Sequence, residues 1–149
     1  MRALVQRVAW AEVEVEGRIV GRIANGLLVY VGVAAGDAPA QALWLAEKIA
    51  GLRIFEDEQG KLNRSVEDVG GGVLAISNFT LLADARKGRR PAFVGAADFD
   101  AARPLHEAFL EGLRGRGVNV ATGVFGARMA IRSQAGGPVN VIIDTPPTT

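Results

Sequence analysis

Cysteine is absent from the 149 residues, and histidine occurs once, as His106. Thiolate nucleophiles, disulfides, iron–sulfur clusters and zinc sites built on Cys are thereby excluded, and one imidazole cannot make a multi-histidine metal site. No metal and no cofactor are expected. His106 lies in a helical pattern with no nucleophile motif beside it, which argues against Ser-His-Asp chemistry. An excess of either charge is also missing: 17 Lys and Arg oppose 16 Asp and Glu, a formal net charge of +1. Contact with nucleic acid must therefore rest on a local patch instead of a global basic field. The longest apolar stretch, Gly26 to Ala35, is too short to span a bilayer, and no charged-then-apolar leader is seen. A cytoplasmic protein without a membrane partner is expected.

What is present fits one domain. A chain of this length buries roughly 70% of its unfolded surface, and its 49% hydrophobic and 22% charged residues are globular averages. Ala3-Leu4-Val5 reads as strand, as do Val13 and Val15 alternating with Glu12, Glu14 and Glu16, whose carboxylates would face water. Gly17-Arg18 turns the chain, Ile19 to Ile23 continues as strand, Asn25-Gly26 reads as a hairpin turn, and Leu27 to Val33 reads as a central strand. Asp37 is the expected N-cap of an amphipathic helix carrying Pro39, Ala42, Leu45, Ile49 and Leu52. Gly70-Gly71-Gly72 breaks the chain before a short buried strand from Val73 to Ile76, and lacks the Lys-Ser/Thr pair of a phosphate loop. A second helix, from Asp98 or Asp100 to Arg116, sets Leu105, Phe109 and Leu113 in one row, with Pro104 requiring its regular part to begin near that residue. His106 would lie on its surface. Val118 to Val120, Val124 to Ile131 and Val139 to Asp144 read as strands, Gly136-Gly137-Pro138 as a turn, and 145–149 as a frayed tail. The fold class is α/β: residues 1–149 form a single domain of β-sheet packed with two main helices, strand-rich at both ends.

Three short segments carry the chemistry. Ser77-Asn78-Phe79-Thr80-Leu81 gathers hydroxyls, an amide and an aromatic ring at the exit of a buried strand, either a capped strand end or a place where free backbone N–H groups meet a ligand. Arg86, Lys87, Arg89 and Arg90 follow, four cations against Asp84 in one loop, either a solvated surface or a phosphate contact. Phe79 and Phe93 are core or stacking faces. Gly137-Pro138 is either a simple trans turn or a cis peptide that aims two carbonyls in one direction.

Together these segments resemble the D-aminoacyl-tRNA deacylases, over nearly the full length. The likeness runs through Arg2-Ala3-Leu4-Val5-Gln6-Arg7-Val8, Gly26-Leu27-Leu28-Val29, Arg53-Ile54-Phe55, Gly60-Lys61-Leu62-Asn63, Ser77, Arg90-Pro91, Thr122-Gly123, Phe125, Met129 and Gly137-Pro138-Val139. The family's Ser-Gln-Phe-Thr-Leu is matched by Ser77, Phe79, Thr80 and Leu81, with Asn78 replacing the glutamine. In its Asn-x-Gly-Pro-x-Thr signature, Gly137 and Pro138 match, while Ala135 and Asn140 occupy the polar positions. The resemblance implies a homodimer with the active site at the subunit interface, where a cis Gly137-Pro138 from one subunit enters the site of the other. It implies hydrolysis of D-aminoacyl-tRNA, and of mischarged glycyl-tRNA, at the acceptor end. The implied catalytic segment is Ser77, Asn78, Phe79 and Thr80, with backbone amides around Asn78 and Phe79 holding the substrate and Thr80 positioning it. Gly137, Pro138, Met129 and Phe125 are the implied substrate contacts, and Arg86, Lys87, Arg89 and Arg90 the RNA contacts. Two alternatives are a paralogous editing deacylase of relaxed chirality and a non-catalytic dimer that binds RNA ends.

Overall fold

A single strand serves as the spine of the molecule. The computed structural model describes residues 1–148, and in it the two expected N-terminal strands are one, β1 (Arg2–Val15), followed by β2 (Arg18–Ile23) and β3 (Gly26–Gly32). After α1 (Pro39–Gly51) come the small pair β4 (Phe55–Glu56) and β5 (Leu62–Arg64), then β6 (Gly72–Ser77). A 3-10 turn (Phe79–Leu82), α2 (Phe99–Gly115), β7 (Asn119–Thr122) and β8 (Ala130–Asp144) complete the chain. β1 is antiparallel to β8 along one edge and, along the other, to β3 in its first half and β2 in its second. β3, β6 and β7 run parallel. Parallel neighbours need long crossovers, and the segments that hold α1 and α2 supply them.

Asn25-Gly26 is thus no hairpin. β2 and β3 pair with β1, not with each other, and Gly26 is needed for a different reason: a Cβ there would strike the Gly72 backbone. Because β1 is long, the chain runs back along it from end to end and has no need to reverse at Asn25.

The sheet buries both faces. Val5, Leu27, Val29, Val31, Val73 and Ala75 face the helices, meeting Leu45, Ile49, Phe109 and Leu113. Val8, Ala11, Val13, Ile23, Leu28, Leu74 and Ile76 form a second cluster on the other face. In β3 and β6 this is period-two alternation. In β1 the parity changes, with Val5 on one side but Ala11 and Val13 on the other. Val8 pairs with Ala135 and Trp10 with Gln134, so Ala9 is an extra residue, and one extra residue exchanges the two faces of a strand. On β8 the next irregularity is larger. Between the Val8–Ala135 and Gln6–Asn140 pairs, Gly136, Gly137, Pro138 and Val139 stand opposite Arg7 alone. The expected turn at Gly136-Gly137-Pro138 is therefore a bulge inside one continuous strand.

Several local expectations change for identifiable reasons. Ala38, not Asp37, caps α1, since Pro39 takes the first helical position. The Asp37 carboxylate accepts from Ala34 N–H and pairs with the Met1 ammonium, each at 2.7 Å. α2 begins at Phe99, ahead of Pro104, because the Asp98 side chain accepts from Ala101 N–H at 2.8 Å and secures the first turn. Val124 to Ala127 is a turn, closed by Ala127 N–H to Val124 O at 3.1 Å, so the expected strand starts only at Ala130. The tail is tied: Thr145 N–H donates to Met1 O at 2.9 Å and the Thr148 hydroxyl to Gly36 O at 3.1 Å. Thr149 lies outside the described residues. The glutamates of β1 are bridged, Glu12 accepting from Arg22 at 2.6 Å and from Arg132 at 3.0 Å, which holds its carboxyl below the usual carboxylate range, with Arg22 the larger cause.

Candidate active site

In an open sheet, ligands collect where parallel strands end at their carboxyl termini. A cavity of about 480 Å³ lies there, lined by Val31 and Val33 at the end of β3, by Ser77, Asn78 and Phe79 at the exit of β6, and by Phe125 and Met129 in the loop after β7. Phe99 and Ala102 close it from the first turns of α2. Hydrophobic runs in β3 and β6 place these ends side by side, Val31 opposite Ser77. Tertiary packing then adds Phe99, which the sequence marks only as the residue after a helix cap. Its ring meets Phe125 edge to face at 5.0 Å.

The strand exit is organised by Asn78. Its side-chain Oδ1 accepts from Thr80 N–H at 3.2 Å and from the Thr80 hydroxyl, winding the 3-10 turn. Its own N–H donates to Val31 O at 2.8 Å. Asn78 therefore has no backbone donor left for a ligand, contrary to the expectation that amides on both residues serve. Among the described residues no acceptor takes the Phe79 N–H, and Phe79 is one of the residues that line the cavity. Thr80 does not line the cavity.

The remaining candidates divide. Phe125 and Met129 line the cavity, with the Met129 sulfur packed on Gly123. Gly137 and Pro138 do not line it in their own chain. They sit exposed in the β8 bulge, joined by a cis peptide, with Arg7 bracing the bulge through donation to Gly136 O at 3.3 Å and to Ile54 O at 3.1 Å. Arg86, Lys87, Arg89 and Arg90 occupy an exposed loop pinned at its base by the Asp84–Ala92 bridge. Arg86 is held by Asp84 at 2.9 and 2.6 Å, whereas the other three have no ion-pair partner among the described residues. Phe93 packs edge to face on Phe79 at 5.1 Å, linking loop to cavity rim.

No titratable side chain lines the cavity, and no group of three or more His, Asp or Glu suited to a metal occurs among the described residues. His106 is not on the helix surface. It is only 5% exposed, its Nδ1 lacks a partner, and burial pushes its pKa down to about 4. Such a site offers shape, one free amide and apolar walls, but neither a nucleophile with its base nor a general acid.

A family model described as D-Tyr-tRNA(Tyr) deacylase matches residues 4–144. The chain belongs to that family. It is 55% identical to the D-aminoacyl-tRNA deacylase of Thermus aquaticus over 97% of this chain and 95% of that one. Identity to the D-aminoacyl-tRNA deacylase of Thermomicrobium roseum is also 55%, over 97% and 94% of the two chains. Among solved structures, the c-Myc DNA Unwinding Element Binding Protein superposes with a TM-score of 0.92 at 37% identity, covering 98% of this chain and 99% of the other. A probable eukaryotic D-amino acid tRNA deacylase superposes at 0.81 with 18% identity over 95% and 97%, a likeness of fold. Within the family pattern, Asn78 is the deviation that the geometry explains: its shorter amide still reaches both donors of Thr80.

Proposed function

We propose that this chain hydrolyses the ester of D-aminoacyl-tRNA, and of mischarged glycyl-tRNA, releasing the amino acid and the RNA as a chiral proofreading step in the cytoplasm. The observation that carries the reading is a cavity lined by Phe79, whose N–H has no acceptor among the described residues, and by no ionisable side chain. An aminoacyl ester is activated already, so oriented water and a donor for the developing oxyanion meet most of its needs. Water adds to the ester carbonyl, whose oxygen accepts from Phe79 N–H. The bond to the ribose oxygen then breaks, and the proton lost by water reaches that oxygen with help from the adjacent 2′-hydroxyl of the terminal adenosine. Phe125, Met129 and Ser77 wall the substrate, while Asn78 and Thr80 fix the turn.

In this reading the active site belongs to a homodimer. The exposed β8 bulge does not line the cavity of its own chain, and we assign it to the partner's, where its Gly137 and Pro138 carbonyls accept the α-ammonium and leave no room for an L side chain. Lys87, Arg89 and Arg90 meet backbone phosphates. The deciding experiment is hydrolysis of D-, L- and glycyl-charged tRNA by the purified protein. Release from the D and glycyl forms with the L form spared is the expected result. Equal rates on D and L forms would replace this reading with relaxed-chirality editing, and binding without hydrolysis would replace it with RNA-end capture.

A further inference from the structure

Phe125 has a second side. Behind it a smaller cleft of about 170 Å³ lies between α2 and the end of β7, lined by Arg103, His106, Glu107, Leu110, Thr122 and Phe125. Two of those walls are rings, His106 and Phe125, with centroids 5.6 Å apart. Arg103 lies over both Phe99 and Phe125, at 5.8 and 6.0 Å, and has no ion-pair partner among the described residues. Glu107 sits one helical turn farther along the same helix, where residues four apart share a face.

That combination selects a class of ligand. A free phosphate is a poor fit, because Glu107 sets a carboxylate in the same small space. An apolar ligand would leave Arg103 without a polar partner and would make no use of Glu107, whose carboxylate otherwise reaches only Arg114 among the described residues, at 3.6 Å. A nucleobase has a flat face for the Phe125 ring, which buried His106 backs, and an edge that carries both donors and acceptors, and single-stranded bases are read in this manner on aromatic walls. Cytosine suits the pair best: its amino group donates to a carboxylate and its ring carbonyl accepts from a guanidinium.

We propose that this cleft holds the base of the nucleotide preceding the terminal adenosine, a cytidine in transfer RNA, so that Phe125 divides two consecutive nucleotide sites. The inference rests on the deacylase reading above and extends the substrate by one residue. Binding of the second base would also press on the Phe125 ring, linking RNA capture to the shape of the catalytic cavity.

The test compares D-aminoacyl-adenosine with the same ester on cytidylyl-adenosine, uridylyl-adenosine and an abasic dinucleotide. One stacked base is worth about 1–3 kcal/mol, so the cytidine-containing substrate is expected to show a KM lower by about tenfold. Uridine should give part of that gain and the abasic linker almost none. Glu107→Ala should erase the preference for cytidine over uridine and leave hydrolysis of D-aminoacyl-adenosine unchanged. Amide-linked analogues, which resist hydrolysis, give the same comparison as Kd by calorimetry. Equal KM and Kd for the mononucleoside and the dinucleotides would overturn the second site while leaving the deacylase reading intact. Absence of hydrolysis of every substrate, charged tRNA included, rejects the deacylase reading and this inference with it.

Discussion

Phe79 and Thr80 are adjacent in sequence, yet they have opposite roles in the strand exit. The Thr80 hydroxyl is spent on Asn78, so Thr80→Ala is expected to retain activity within about tenfold, whereas loss of a covalent nucleophile costs on the order of 10⁶ in kcat. Steady-state kinetics on D-aminoacyl-tRNA separates the two. The Phe79 N–H can be removed with little backbone disturbance, because the residue opens a 3-10 turn and Asn78 before it is extended, with φ −148° and ψ 93°. Phe79→Pro should lower kcat by about 10²–10³ relative to Phe79→Ala, which loses the ring but keeps the donor. Equal kcat for these two variants would remove the amide from the mechanism. At His106 the sign is fixed by burial: the folded pKa falls from 6.5 to about 4, so the unfolded chain binds the proton first as pH drops. Stability should decline between those values by up to about 3 kcal/mol. The charged groups sharing its cleft are Arg103 and Glu107. His106→Leu should flatten the melting temperature across that pH window and raise it at the acidic end. Sequence patterns lead to Ser77, Asn78 and Phe79, and the family resemblance adds Phe125 and Met129; all of them line the cavity. Neither reveals that the Asn78 amide is already engaged, because its acceptor, Val31 O, is far away along the chain and becomes a neighbour only through strand pairing.

At the scale of elements, both helices and the central strands are legible because their burial is periodic. Leu45 and Ile49 fall on one face of α1, and Leu105, Phe109 and Leu113 on one face of α2. The errors gather where the register of a distant strand decides the outcome, at Ala9, Asn25 and the β8 bulge, and once in a local turn, Val124–Ala127. A bulge carries no local signature when its cause is the register of another strand. Arg7 is the bulge's main support, and Arg7→Ala leaves the Ile54 and Gly136 carbonyls without that donor. A loss of about 1–3 kcal/mol is expected, and hydrogen exchange should quicken at residues 136–139 before the helices respond. Close approach of the helices is a second test. A Cβ on Gly112 would lie 2.8 Å from that of Ala46, so Gly112→Leu should cost about 1–3 kcal/mol, read by denaturant titration.

For the whole molecule, a net charge of +1 leaves RNA attraction to local patches. Neutralising Lys87, Arg89 and Arg90 together should flatten the salt dependence of RNA binding by about 0.7 in log–log slope for each phosphate that these side chains pair with. An unchanged slope would mark the loop as solvated surface only. The topology carries a further consequence, for synthesis. The first strand of the chain finds its full-length partner in the last: β8 pairs with β1 from Arg2–Asp144 to Glu14–Ala130, and Thr145 closes onto Met1. On a ribosome, which makes the chain from its N-terminal side, one edge of β1 must wait with its N–H and C=O groups unpaired until residues 130–144 have been made. Pairings of such sequence separation form slowly, and nascent chains that stop short of residue 130 expose an apolar strand edge, the feature that recruits chaperones and proteases. Quality control of this protein's own synthesis therefore turns on the arrival of β8.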